Sequence, residues 1–64
     1  MPNIVVSLTQ EMARVHALIP RLDPSQRREA DNALRAAEDC MRSAFLEGMN
    51  QSLDDLREFA EPKK

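Results

Sequence analysis

Sixty-four residues, 42% apolar and 31% charged, make at most one small domain. A single cysteine excludes an internal disulfide, and a single histidine leaves no Cys/His cluster at metal-ligand spacing. A formal net charge of −2 argues against non-specific nucleic-acid binding, which needs a surplus of Lys and Arg on one face.

A chain shorter than roughly 70–80 residues rarely draws more than about 3–5 kcal/mol from its own core, and a disulfide, a metal or a second subunit usually supplements it. Disulfide and metal are removed by composition, so association with another chain is the expected supplement. Phe45 and Phe59 are the only aromatic residues. A core of Leu, Met, Val, Ile and Ala suits helix-on-helix packing, and Gln26 to Ala60 is rich in good helix formers. Strand signals are confined to Ile4-Val5-Val6, too short to carry a sheet. Met1 to Gln10 has no basic region followed by an apolar one, so it does not read as a secretory leader. No run approaches the ~20 apolar residues that cross a bilayer. A lone thiol agrees with a reducing compartment, and a cytoplasmic location is expected.

Helix 1 is predicted over about 7–19. Ser7-Leu8-Thr9-Gln10 has capping-box spacing, with Asn3 as an alternative cap that would start the helix earlier. Leu8, Met12, Val15 and Ile19 follow at heptad steps, and Leu22 continues the phase. Pro20 has no N–H to give to the carbonyl of His16, so the helix should end or kink near Ile19. A turn over 20–23 leads to Asp23-Pro24-Ser25-Gln26. There Asp23 is a strong N-cap, Pro24 fits the first helical position and Gln26 completes a capping box.

Helix 2 is expected over about 24–60, its stripe running through Ala30, Leu34, Ala37, Met41, Ala44, Phe45, Met49, Leu53, Leu56 and Phe59 or Ala60. Unbroken, it would be about 55 Å long, of which helix 1 could cover only about 20–25 Å. The stripe from Phe45 onward would then need a second copy of the chain. Gly48 interrupts this picture, since Gly inside a helix costs roughly 1 kcal/mol relative to Ala. Ser52 before Asp54 and Asp55 also resembles a fresh cap. One alternative therefore breaks the chain at Gly48–Gln51 into a three-helix unit. The other keeps one helix and uses Gly48 for close approach of a partner. The stripe keeps its phase through the glycine, which favours the continuous helix. Residues 61–64 are expected to form a frayed tail.

Arg28, Arg35 and Arg42 recur every seven residues, with Asp31 and Glu38 one turn before the last two, the favourable order for ion pairs. A solvated flank laced with such pairs is the expectation; an anion-binding groove is the functional alternative. Arg21, Arg27 and Arg28 cluster at the turn beside the N-terminus of helix 2, where a phosphate or carboxylate could also sit. His16, at the edge of the helix 1 stripe, reads as a packing residue, and Cys40 as a structural thiol beside Glu38 and Asp39. The pairs Glu38-Asp39 and Asp54-Asp55 lack the spacing of a calcium loop. Met1, Met12, Met41 and Met49 are expected to pack in the core or to form an adaptable groove. Residues 1–35 hold five Arg against four acids, whereas residues 36–64 hold seven acids against four bases, a polarity that favours antiparallel assembly.

These patterns together predict an all-α helical hairpin assembling as a homo-oligomeric bundle, dimer or higher. Its association surface would comprise Leu8, Met12, Val15, Ile19, Leu34, Met41, Phe45, Met49, Leu53 and Leu56. No catalytic, metal or cofactor signature is present, and the expected role is a non-enzymatic interaction or regulatory module, an inhibitor or adaptor, that binds a protein partner. The layout of short helix, turn and longer helix in an oligomer is similar, in architecture alone, to that of small phage proteins that sequester cyclic-nucleotide defence signals. That resemblance implies an anionic small ligand held by Arg21, Arg27, Arg28, Arg35 and Arg42. No residue motif is shared with those proteins, and no Tyr is present to stack a base. A helix-turn-helix on nucleic acid fits less well, because the net charge has the wrong sign.

Overall fold

The computed structural model describes residues 3–61, which form three α-helices and one short 3₁₀ turn. Helix α1 spans Ile4–Leu18, α2 Pro24–Arg42 and α3 Leu46–Ala60, with the 3₁₀ turn at Ile19–Arg21. The fold is all-α, without strands among the described residues.

Helix α1 starts three residues before the Ser7 box. Asn3 Oδ1 accepts from the Val5 N–H at 2.8 Å, so Asn3 is the cap. The extra turn places Ile4 against the core, and that burial favours the earlier of the two candidate caps. At the other end Pro20 supplies no N–H. The Ile19 N–H is shared between the carbonyls of Val15 and His16, and the chain tightens into the 3₁₀ turn. Arg27 holds this turn by donating from Nε to the carbonyls of Ile19 at 3.3 Å and Leu22 at 3.1 Å. Asp23 then caps α2 through a full box. Its carboxylate accepts from the Gln26 N–H at 2.8 Å, and Gln26 Oε1 accepts from the Asp23 N–H at 3.4 Å.

The expectation of one helix over 24–60 is corrected. Helix α2 stops at Arg42, and the break falls at Ser43–Phe45, upstream of Gly48. Its hydrogen bonds are those of a Schellman motif. The Phe45 N–H donates to the Cys40 carbonyl at 2.9 Å and the Ala44 N–H to that of Met41 at 3.2 Å. Ala44 takes the left-handed conformation, φ 57°, that glycine usually supplies. Ser43 Oγ adds a bond to the Asp39 carbonyl at 2.9 Å. Ser52, a candidate cap, is buried in the middle of α3 instead.

The reversal folds α3 back between the other two helices, and it packs against both, whereas α1 and α2 touch each other far less. The longest dimension is 32 Å, not the length of a 37-residue rod. The core is Leu8, Met12 and Val15 from α1, Ala30, Leu34 and Ala37 from α2, and Met49, Leu53 and Leu56 from α3. Ala30 and Ala37 are fully buried with only a methyl each, which lets α3 approach α2 closely. Gly48 serves the same contact. A Cβ there would meet the Cys40 sulfur and would lie 2.7 Å from Phe45 Cδ2. The glycine thus admits a neighbouring helix of the same chain.

Candidate functional site

Seven of the ten residues expected on an association surface lie in the core of the single chain: Leu8, Met12, Val15, Leu34, Met49, Leu53 and Leu56. Ile19 and Met41 are half-buried at its edges, and Phe45 is exposed. From Met49 onward the apolar stripe expected to need a second copy is covered when α3 turns back. Of the methionines, Met12 and Met49 are core and Met41 flanks it, while Met1 lies outside the described residues. The same holds for residues 62–64 of the expected tail; Glu61, its first residue, is the C-cap that follows α3.

The surface that remains is unevenly charged, helix by helix. The only acidic or arginine side chains of α1 are Glu11 and Arg14, and both are engaged with α3. Arg14 bonds Glu61 at 2.9 Å and Glu11 at 3.4 Å, and Arg57 approaches Glu11 at 4.0 Å. The hydrogen bond to Glu61, then the charges of Glu11 and Glu61, raise the Arg14 pKa. At 100° per residue, Val6, Gln10, Ala13 and Ala17 fall opposite the buried Leu8, Met12 and Val15. With Val5, Thr9 and His16 they form an exposed face without an acid or an arginine. Val5 is 43% and Val6 53% exposed.

The Arg14–Glu61 and Glu11–Arg57 pairs also fix how the helices run. Equivalent levels are 46 or 47 residues apart, so α1 and α3 are parallel and the α2–α3 turn lies at the end where α1 begins. Phe45 and Leu46, exposed by 54% and 57%, therefore share that end with Val5 and Val6.

The arginine row behaves differently from its expectation. The recorded ion pairs all lie among Glu11, Arg14, Arg57 and Glu61, and neither Asp31–Arg35 nor Glu38–Arg42 closes among the described residues. Arg28, Arg35 and Arg42 stand exposed along α2, successive members about 10.5 Å apart along its axis. Such spacing gives separate contact points, not one convergent cradle. At the turn, Arg27 donates its Nε–H to backbone carbonyls and Asp23 occupies the N–H of Gln26, while Arg21, Arg27 and Arg28 are all exposed there. Cys40 is half-buried beside Gly48 and His16 is exposed. Among the described residues no group of three or more His, Cys, Asp or Glu could hold a metal ion. No helix there is long and apolar enough to cross a membrane.

Sequence reasoning missed one concavity, an open groove of about 670 Å³ between α2 and α3. Leu22, Ala33, Ala36 and Phe59 give it its apolar lining, and Glu29, Asp55 and Glu58 its acidic groups, with Gln26 and Asn32 completing the α2 side. No basic residue lines it. Within each helix these positions carry no distinctive spacing; the groove exists only because the turn at Ala44 sets α3 beside α2. Comparisons with protein-family models, curated proteins and solved structures found no match to the chain.

Proposed function

We propose that the protein is a small non-enzymatic interaction module that self-associates through the outer face of α1 and binds a protein partner. The observation that carries this is the contrast between helices. Helix α2 bears eight charged residues, whereas α1 turns a face without acids or arginines, including two exposed valines, toward solvent. Val6, Gln10, Ala13 and Ala17 are spaced by four, three and four residues, the spacing of a helix–helix seam. The alanines leave room for a close crossing. A two-fold pairing of α1 with its copy sets this face against itself, and like-charge repulsion is absent there. A helix of 15 residues is about 22 Å long, so the contact falls at the small end of specific interfaces and the complex should be weak and reversible. Val5, Val6, Phe45 and Leu46 add apolar area at one end of the bundle. The unpaired Cys40 thiol is compatible with the reducing cytoplasm, where we place the protein.

Sedimentation equilibrium over a wide range of concentration tests the reading. The mean mass should rise above 7.3 kDa with concentration. Val6→Glu and Ala13→Glu should return it to one chain while leaving the helical signal intact. A mass of one chain at every concentration refutes self-association.

One observation favours a second reading. The arginine row of α2 offers separate exposed guanidinium contacts, which suit an anionic ligand carrying more than one phosphate, with a cyclic dinucleotide as the candidate class. A thermal shift with cyclic dinucleotides that disappears in Arg28→Ala or Arg35→Ala supports it, and no shift at millimolar ligand rejects it.

A further inference from the structure

We infer that the groove between α2 and α3 is the seat of the protein partner, and that the partner is an amphipathic helix with apolar residues along one stripe and Lys or Arg on its flanks. The inference deepens the interaction-module reading and rests on its partner-binding half, independently of self-association.

Shape gives the first part. On α2 the groove runs from Gln26 to Ala36, about 15 Å of helix axis. Ala33 and Ala36 leave the floor shallow over that length, Leu22 closes one end, and the half-buried Phe59 ring forms a wall. An extended segment would leave its backbone N–H and C=O groups against a surface with no free backbone partners, since both walls are helices. A helix satisfies its own backbone and presents side chains at i, i+3, i+4 and i+7 to such a floor.

Charge gives the second part. Glu29 lies on the α2 side, on the same stripe as Ala33 and Ala36, and Asp55 and Glu58 lie on the α3 side, so both helices bring carboxylates to the groove. None of the three is in a recorded ion pair among the described residues. Glu58 also lines a second hollow with Asp54, Arg57 and Glu61, where Glu61 is paired with Arg14 and Asp54 adds a further carboxylate from α3. A helix lying here meets Glu29 from α2 and Asp55 and Glu58 from α3, with no basic residue in the lining, and cationic groups are the complement.

A second copy of the chain does not supply that helix. The arginine row of α2 is interleaved with Asp31, Glu38 and Asp39, which would face Glu29 and Asp55 as like charges. The outer face of α1 has no Lys or Arg. The partner is therefore a different polypeptide.

The probe is a fluorescein-labelled 18-residue peptide of Leu and Lys alone, with Leu at helical spacing, titrated by anisotropy with the full-length protein carrying Val6→Glu so that self-association does not contribute. A scrambled peptide of the same composition serves as the control. Saturable binding to the patterned peptide is expected, at least about tenfold tighter than to the scrambled one. Glu29→Lys and Glu58→Lys should each weaken it by about tenfold or more, whereas Glu38→Lys, exposed on the opposite side of α2, should change it by less than about threefold. Absence of binding overturns the inference. So does equal binding of the scrambled peptide, which would mean non-specific charge attraction, and so does equal loss in Glu38→Lys. Self-association is read separately by sedimentation, so the two proposals fail independently.

Discussion

Ala44→Gly is the substitution whose sign reports on the fold. Ala44 has φ 57° and sits where the Schellman motif needs a left-handed residue. An L-residue with a Cβ is disfavoured there by about 1–2 kcal/mol. Glycine escapes that cost but loses about 0.5–1 kcal/mol more conformational freedom on folding. The balance is a stabilisation of about 0.5–1 kcal/mol, and for a domain of this size each kcal/mol moves Tm by roughly 4–8 °C. Ala44→Gly should therefore melt about 2–8 °C above the parent in far-UV circular dichroism at matched concentration, with a parallel rise in the urea midpoint. Were residue 44 inside one unbroken helix, the same change would destabilise by about 1 kcal/mol. A Tm that falls by several degrees would refute the reversal at Ser43–Phe45, and with it the closure of the core by α3.

Two further outcomes follow from the packing. Leu56 is fully buried where α3 meets its neighbours, and Leu56→Ala should cost about 2–5 kcal/mol. Total stability at about 0.05–0.15 kcal/mol per residue is of the same order, so the variant should lose its cooperative melt at room temperature or come close to doing so; an unchanged Tm would contradict its core position. Gly48→Ala should destabilise despite the better helix propensity of alanine, because the new methyl meets Cys40 Sγ and the Phe45 ring. In a Cys40→Ala background the penalty should shrink by about 0.5–2 kcal/mol, and additivity in that double-mutant cycle would show that the contact is not the cause.

What could be read from the sequence, and what could not, follows the range of the interactions. The Asp23–Gln26 box spans four consecutive residues and the Leu8-Met12-Val15 stripe needs only a period, so both are legible without tertiary information. Two local caps compete at the start of α1, and the burial of Ile4, a tertiary effect, selects Asn3. The α2–α3 break was hidden for two physical reasons. Its left-handed position holds Ala44 instead of glycine, and the nearby Gly48 serves close packing. In addition, Met41, Phe45, Met49 and Leu53 keep four-residue steps across the reversal, so periodicity passes through it unaltered. The groove was illegible in principle, because Glu29 and Asp55 become neighbours of one hollow only after that reversal. The ion pairs expected along α2 fail in the opposite way: the spacing is right, but exposed arginines gain little by closing on a carboxylate in water.

The place of α3 between its neighbours has a consequence for biosynthesis. Helices α1 and α2 precede α3 in the chain, yet most of what each packs against is that later segment, which leaves the ribosome after them. Until then the nascent chain carries two amphipathic helices with uncovered stripes, and the native state is reached only after α3 has followed them out. A premature stop at any codon before Leu56 should accordingly yield no partly working product, only a chain destined for proteolysis.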